Sequence, residues 1–465
     1  MIGITRIATY FPRRRLERAQ IAAAWGGRAA PGQRTVAAVD EDALTMAVEA
    51  TLALIGERDP AAFDTLHFAS TSAPYLEKQV ASVVATACDL PRAIQVADLG
   101  GSLRAGVSAL RLALDAVAAG GSARAIAVAA DVRQAEPGSE LEAQLGDGAC
   151  AVAVGREDVI AELVSRGSVA EEFTWLWRTD EQRYLQLSDA RFAASHAFAR
   201  DVPEAVGAAL RRAEVPPARV AKLALAAPDA RSAADAAKRI GCPAGVLVPA
   251  LAAEAGMLGT PEPLVLLSRA LETAAPGDFV AVCGFGEGAE ALVFRATPAL
   301  EAARPVPVGE RLAGGSAVPS YARWLRARGV LPLDVGGEAV STYIEWKELK
   351  QDVRLYGSRC EACGLVQYPQ ARVCLGCEAR ERLVEHKLAK TGTVFTFTID
   401  NLAQVPEHPM PMVVVDLDGG GRVYLQGTDC AEGDIAVGKR VALTFRRLHE
   451  AAGNRNYFWK VRPPR

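Results

Sequence analysis

The sequence predicts an α/β domain followed by a cysteine-rich metal knuckle and a small β-barrel. Three observations carry that expectation. Residues 1–298 alternate short apolar runs with Ala- and Leu-rich amphipathic stretches, the pattern of strand–helix units around a mostly parallel sheet. Four cysteines then pair as Cys360-x2-Cys363 and Cys374-x2-Cys377. Beyond them the chain turns to β-type runs broken by glycine turns.

In the first segment strands are predicted at 66–70, 94–99, 125–130, 149–154, 223–226, 279–283 and 289–294. Helices are predicted at 104–119, 203–213, 232–240 and 264–274. Gly146-Asp147-Gly148 leads into one apolar run, and Gly284-Phe285-Gly286-Glu287-Gly288 leads into another. Each turn follows a strand, a loop and a helix, so the segment reads as two related halves. The 284–288 turn enters a strand rather than a helix and lacks the downstream acidic residue of a dinucleotide loop. Residues 299–345 read as a connector, with Pro305-Val306-Pro307, Gly314-Gly315-Ser316 and a short helix at 321–328. Residues 346–385 form the cysteine knuckle. Residues 386–465 form the barrel, with strands at 392–399, 411–417, 422–427, 440–447 and 457–461 and a hairpin turn at Gly419-Gly420-Gly421. Five short strands suit an OB-fold.

Composition excludes several roles. Among 465 residues, 52 Lys and Arg balance 55 Asp and Glu, for a net charge of −3. That balance gives no drive toward nucleic acid or an anionic membrane. At 6% aromatic, the chain is poorly stocked for base stacking. No apolar run approaches the roughly 18–20 residues of a membrane helix. The apolar stretch before Pro12 is too short for a signal peptide. A cytoplasmic protein is expected.

Two adjacent CxxC pairs supply four thiolates at the spacing of a structural zinc site, and a rubredoxin-like iron uses the same ligand set. With cysteine at all four positions, no coordination site is left open for catalysis. Cys88, Cys150, Cys242, Cys283 and Cys430 read as small buried apolar residues. Cys283, beside the 284–288 turn, is the one most open to a reactive role. The five histidines, His67, His196, His386, His408 and His449, form no spaced metal pair. His67 falls on a predicted core strand, and His196 is placed to face a cleft.

An ordered series runs through the first segment: Ser70-Thr71-Ser72-Ala73-Pro74-Tyr75, Ala97-Asp98-Leu99, Arg104-Ala105-Gly106, Gly146-Asp147-Gly148-Ala149, Pro276-Gly277-Asp278 and Gly284–Gly288. In this series residues 1–298 resemble the thiolase superfamily, near 3-hydroxy-3-methylglutaryl-CoA synthase and β-ketoacyl-ACP synthase III. Residues 346–465 resemble the rubredoxin-like zinc ribbon plus OB-fold family once labelled domain of unknown function 35. That likeness rests on 359–377, 392–398 and 438–445. The resemblance implies a thiolase-type duplicated αβαβα domain, then a zinc ribbon and an OB-fold. It implies a coenzyme A thioester as ligand or substrate, since the second family typically accompanies thiolase-superfamily proteins as an acyl-CoA accessory.

The family's nucleophilic cysteine falls on Leu103, its histidine on Ala226, its asparagine on Met257 and the synthase's glutamate on Thr71. Leucine carries no acyl group, and alanine and methionine polarise no thioester carbonyl. Ordinary condensation or thiolysis through this chain's own acyl-enzyme is therefore not expected. The first functional expectation is an acyl-CoA-binding subunit of a complex that forms or cleaves carbon–carbon bonds. In it a partner thiolase chain supplies the cysteine, and by resemblance the chain forms a heteromer or a homodimer. The alternatives are a retro-aldolase acting on a β-hydroxyacyl-CoA, with Tyr75, Asp98, His196 or Asp229 as acid or base, and a conventional synthase using Cys283 or Cys88.

Overall fold

The computed structural model describes residues 1–331, 341–403, 409–431, 433–451 and 453–464. His408 and 332–340 of the connector lie outside the described residues. The chain divides into two units: Met1–Ala37 with Asp42–Tyr321, and Ala38–Glu41 with the chain from Ala322 onward.

The first unit is built on nine strands: β1 (Gly3–Tyr10), β2 (Thr65–Ala69), β3 (Gln95–Leu99), β4 (Ala125–Asp131), β5 (Gly148–Gly155), β6 (Ala161–Ala170), β7 (Val220–Leu225), β8 (Phe279–Phe285) and β9 (Gly288–Ala296). Their order in the sheet is β7-β8-β9-β6-β1-β5-β4-β2-β3. In one half, β3 and β4 flank β2 in parallel, and β5 and β1 then run antiparallel. The other half repeats this, with β7 parallel to β8 and then β9 and β6 antiparallel. A parallel bridge from Leu223 to Leu247 stands where β3 stands in the first half. Gly148 opens β5 and Gly288 opens β9, so the two glycine turns mark equivalent points of a duplicated topology. The halves join through two residue pairs, Gly3 with Glu162 and Ile4 with Ala161.

The helices that position the site are α1 (Ala43–Ile55), α2 (Val80–Ala87), α3 (Ala105–Ala118), α4 (Ala199–Arg212), α5 (Ala230–Ile240) and α6 (Glu262–Thr273). Leucines at 3.6-residue spacing bury α3 (Leu110, Leu114) and α6 (Leu264, Leu267, Leu271) in one core with Val152 of β5 and Val282 of β8. Those two helices meet closely at their starts. A Cβ on Gly106 would lie 2.1 Å from the Thr260 carbonyl oxygen, so only glycine permits the approach. The other face of the second half is covered by α4, through Val202, Val206 and Leu210. That helix begins at Ala199, four residues before the predicted start at Pro203, and follows a π-helical turn over Ala193–Phe198. Leu300, Val308 and Leu312 of the expected connector join the first unit's core.

In the second unit α7 (Thr342–Asp352) precedes a three-stranded ribbon of β10 (Tyr356–Cys360), β11 (Val366–Gln367) and β12 (Leu383–Lys387). The barrel strands are β13 (Thr391–Asp400), β14 (Met410–Leu417), β15 (Arg422–Gln426), β16 (Arg440–Ala451) and β17 (Asn454–Arg462), in the order β15-β14-β13-β16-β17. A bridge between Gly427 and Val461 brings the outer strands nearly to closure. Val413, Val415, Leu425, Phe445 and Trp459 fill the interior. Arg446 is buried in this unit between the carboxylates of Glu41 and Asp429. Among the described residues no helix is long and apolar enough to cross a membrane.

Candidate functional site

The four ribbon cysteines converge. Cys360 ends β10, and the turn through Gly364, at φ +78°, folds Cys363 back beside it. All four sulfurs lie within 4.8 Å of one another. Cys360 and Cys377 are 3.6 Å apart, and Cys363 and Cys374 are 3.5 Å apart. Four thiolates at about 2.3 Å from one zinc would have sulfur–sulfur edges of about 3.8 Å, so the set fits the metal with little movement. Backbone N–H groups of Cys377 and Gly376 lower the Cys374 pKa, while the sulfurs crowded around Cys377 raise that thiol's, so the four share protons until a metal replaces them. The Gly376 N–H lies 3.4 Å from the Cys374 sulfur. The ribbon is a zinc ribbon with a complete four-sulfur ligand set.

The other site lies at the carboxyl ends of the strands, where ligands of α/β sheets bind. There the two halves differ sharply in chemistry. At the ends of β2 and β4, Asp131 is fully buried and its carboxylate is surrounded by donors. Its oxygens accept from the Ser70, Thr71 and Ser72 hydroxyls at 3.0, 3.1 and 2.8 Å. They also accept from the Thr71 N–H at 2.8 Å and from the N–H and hydroxyl of Thr260 at 2.8 and 2.9 Å. Two residues on, Arg133 is buried, and its Nη2 donates to the Met257 carbonyl at 3.0 Å. Burial lowers the Arg133 pKa, against the pull of Asp131, Glu262 and Asp147. Gly259, at φ +83°, packs against both groups: a Cβ there would lie 2.5 Å from Asp131 Oδ2 and 2.8 Å from Arg133 Nε. Glu262 opens α6 and accepts from the Leu258 N–H at 3.0 Å. Burial raises its carboxyl to about 7, against the N–H groups of Leu258 and Gly259 and the charge of Arg133.

The equivalent ends of β7 and β8 carry alanine and glycine, with Glu287 in the turn beyond β8. Ala226 follows β7, and its N–H donates to the Cys283 carbonyl at 3.4 Å. Gly284 and Gly286 lie against the loop that enters α3, where the Ser102 hydroxyl donates to the Gly286 carbonyl at 3.1 Å. Leu103 is half-buried against the apolar core of the second half.

The four family positions thus fall at two places. Leu103 and Ala226 lie by the β8 end, and Thr71 and Met257 lie by Asp131 and Arg133. The close approach of Gly106 and Thr260 ties together the two helix starts that carry Leu103 and Met257.

The acid–base candidates are engaged elsewhere. Asp98 accepts from the Val80 and Ala81 N–H groups at 2.6 and 2.8 Å and so caps α2. Asp229 caps α5 through the Ser232 N–H and hydroxyl, each at 2.8 Å. His196 stacks on Phe192 at 4.2 Å, with the Ser195 hydroxyl 2.8 Å from Nδ1, on the exposed side of the π-helical turn. Tyr75 lies under the Lys78 ammonium at 4.8 Å. Cys88 and Cys283 are buried, and their sulfurs rest on the Val48 and Gly284 carbonyls. Burial pushes the Cys150 and Cys283 thiols far up, and that of Cys242 up to about 11. None of these thiols has the environment of an activated nucleophile.

The sequence pattern does not single out Asp131, Arg133 or Glu262. The predicted strand stops at Ala130, one residue short. The available signal was an aspartate and an arginine ending a run of alanines and valines.

Comparison with known proteins supports both parts of the chain. Residues 348–382 match the family described as ChsH2, rubredoxin-like zinc ribbon domain, and 385–446 match ChsH2, C-terminal OB-fold domain. The hydroxymethylglutaryl-CoA synthase of Pyrobaculum neutrophilum is 27% identical over 346 residues, covering 71% of this chain and 98% of that protein. That of Thermoplasma volcanium is 29% identical over 311 residues, covering 64% and 87%. Among solved structures, an HMG-CoA synthase complexed with CoA superposes with a TM-score of 0.64 at 16% identity, covering 74% of this chain and 94% of that one. The 3-oxoacyl-(acyl carrier protein) synthase III of Pseudomonas aeruginosa PAO1 gives 0.58 at 20% identity, covering 64% and 98%. The N-terminal region therefore has the thiolase-type fold, and the C-terminal region is a zinc ribbon followed by an OB-fold.

Proposed function

We propose that this chain, a thiolase-like unit joined to a ChsH2-type zinc ribbon and OB-fold, is the acyl-CoA-binding subunit of a complex that makes or breaks carbon–carbon bonds in acyl-CoA thioesters. In that complex a partner thiolase chain supplies the nucleophilic cysteine. The carrying observation is Leu103 at the start of α3, with the neighbouring N-terminal thiols buried and held protonated. Acyl-CoA as ligand is carried over from relatives whose descriptions name hydroxymethylglutaryl-CoA synthase and CoA. On this reading the unit binds and orients the thioester, and the zinc of the ribbon holds the C-terminal fold without touching substrate.

The test is calorimetric titration of the isolated chain with acyl-CoA, followed by intact-mass measurement. Binding without a mass increase is expected. An acyl adduct mapped to any N-terminal cysteine overturns the reading. A second reading, retro-aldol cleavage of a β-hydroxyacyl-CoA by this chain alone, draws support from Glu262, whose carboxyl near 7 suits proton transfer at neutral pH. Release of an aldehyde or ketone from a β-hydroxyacyl-CoA by the isolated chain would favour it, whereas thiolysis of a β-ketoacyl-CoA to two acyl-CoA products, appearing only after a cysteine-bearing thiolase is added, would favour the first.

A further inference from the structure

Arg133 is an arginine with donors to spare. It is 4% exposed, and among the described residues its Nε and Nη1 have no hydrogen-bond partner. Only Nη2 is used, on the Met257 carbonyl. A buried guanidinium is costly unless its N–H groups are met, and unmet donors in a buried site call for an acceptor.

The nearby carboxylates do not supply it. Asp131 already accepts from Ser70, Thr71, Ser72 and Thr260. Glu262 turns back onto the Leu258 N–H. Asp147 Oδ2 accepts from the Ala37 N–H at 2.7 Å. Arg133 stands just past the carboxyl end of β4, beside the loop into α6, where an α/β sheet places its ligands.

The charge around it selects the class of acceptor. Asp131, Asp147 and Glu262 together already outweigh the one guanidinium. A further carboxylate would meet net repulsion, whereas an oxo or hydroxyl oxygen meets two oriented N–H groups and brings no charge.

We propose that Arg133 determines specificity in this unit by donating Nε and Nη1 hydrogen bonds to an uncharged oxygen on the acyl chain of a bound acyl-CoA. The proposal rests on the acyl-CoA-binding reading above and adds to it a required acyl oxygen and the residue that reads it.

The full chain is titrated calorimetrically with butyryl-CoA, acetoacetyl-CoA and succinyl-CoA. Acetoacetyl-CoA should bind at least about tenfold more tightly than butyryl-CoA, the fold-change of hydrogen bonds to a charged donor. Succinyl-CoA should bind no better than butyryl-CoA. Arg133→Met should abolish the preference for acetoacetyl-CoA, read as the ratio of the acetoacetyl-CoA and butyryl-CoA affinities measured on the same variant. Arg133→Lys, which keeps charge but loses the fork, should abolish it too.

Equal affinities for the first two thioesters in the unmodified chain overturn the proposal, even if neither variant folds. So does a preference that survives Arg133→Met or Arg133→Lys, which would leave Arg133 a structural charge alone. Tighter binding of succinyl-CoA would make the site an anion site and defeat the uncharged-oxygen assignment. If butyryl-CoA binds but Arg133 makes no difference, the acyl-CoA reading stands alone. If none of the three binds, both fail.

Discussion

The ribbon and the strand-end site of the thiolase-like unit are opposite ways of building chemistry. The ribbon gathers four identical ligands from 18 consecutive residues, Cys360 to Cys377, by two tight turns. The strand-end site gathers Thr71, Asp131, Arg133, Met257 and Glu262 from separate loops through the sheet topology. The ribbon keeps every group its metal requires. The strand-end site lacks a thiol at the helix start, yet holds a dense polar cluster around Asp131 in one half, where the other half has alanine and glycine at the strand ends. The contrast sets a centre complete in itself against one that, on the proposed reading, binds without reacting.

The largest expected effect falls on the ribbon. Structural zinc contributes on the order of 10 kcal/mol to the folding of small sites, so Cys360→Ser or strong chelation should unfold the ribbon. Elemental analysis should find close to one equivalent of zinc per chain, and Cys360→Ser should lose it. A variant that lost its metal but kept an unchanged proteolysis pattern across 348–382 would break the comparison from the ribbon side.

Next comes Asp131→Ala, which strips the acceptor from four hydroxyls and two N–H groups near a buried arginine. Leaving buried charged and polar partners unmatched costs about 3–5 kcal/mol. Urea unfolding of the thiolase-like unit should show the loss as a lower midpoint. A shift under about 1 kcal/mol would mean that water replaces the carboxylate and that the cluster is looser than its hydrogen bonds imply.

Glu262 gives a smaller, pH-dependent effect. Its folded carboxyl is raised to about 7 by burial, above the ordinary 4.5, so the folded state binds the proton more tightly. Its contribution to stability is therefore full below about pH 4.5 and is lost as pH rises to about 7, by roughly 3 kcal/mol as an upper figure. Glu262→Gln removes that titration. The stability of the variant relative to the unmodified chain should rise between about pH 5 and pH 8. A flat difference would return Glu262 to an ordinary carboxylate and weaken its candidacy as a base.

The same contrast explains what was legible in the sequence. The five barrel strands were each predicted within a few residues, because each is a local hairpin partner bounded by turn residues. The cysteine spacing spoke for itself. The two strands where the halves join, Gly3–Tyr10 and Ala161–Ala170, were missed. Thr5, Arg6, Glu162, Ser165 and Arg166 interrupt their apolar pattern, and long-range pairing rather than local preference makes them strands. Asp131 and Arg133 were missed for a related reason: their partners lie at Ser70–Ser72 and Met257–Thr260, and no spacing rule connects such distant segments. Asp98 and Asp229 looked like free carboxylates in the sequence, and only the folded chain reveals them as helix caps.

The smallest expected effect is also the sharpest check on the empty site. Leu103→Cys places a thiol at the start of α3, half-buried beside Gly286. The helix start favours a thiolate, and the substitution removes only a partly buried leucine. Yet Ala226 offers no base and Met257 no side-chain donor for an oxyanion, and such groups act together rather than additively. Thiolysis by Leu103→Cys should therefore stay at the background of the unmodified chain, while acyl-CoA binding is retained. Intact-mass measurement after incubation with acetyl-CoA should show at most a slow, non-catalytic adduct on the introduced thiol. Turnover by this single variant would mean that the polar cluster around Asp131 and Arg133 supplies the missing base and oxyanion donors, so that the site lacks its nucleophile and nothing else.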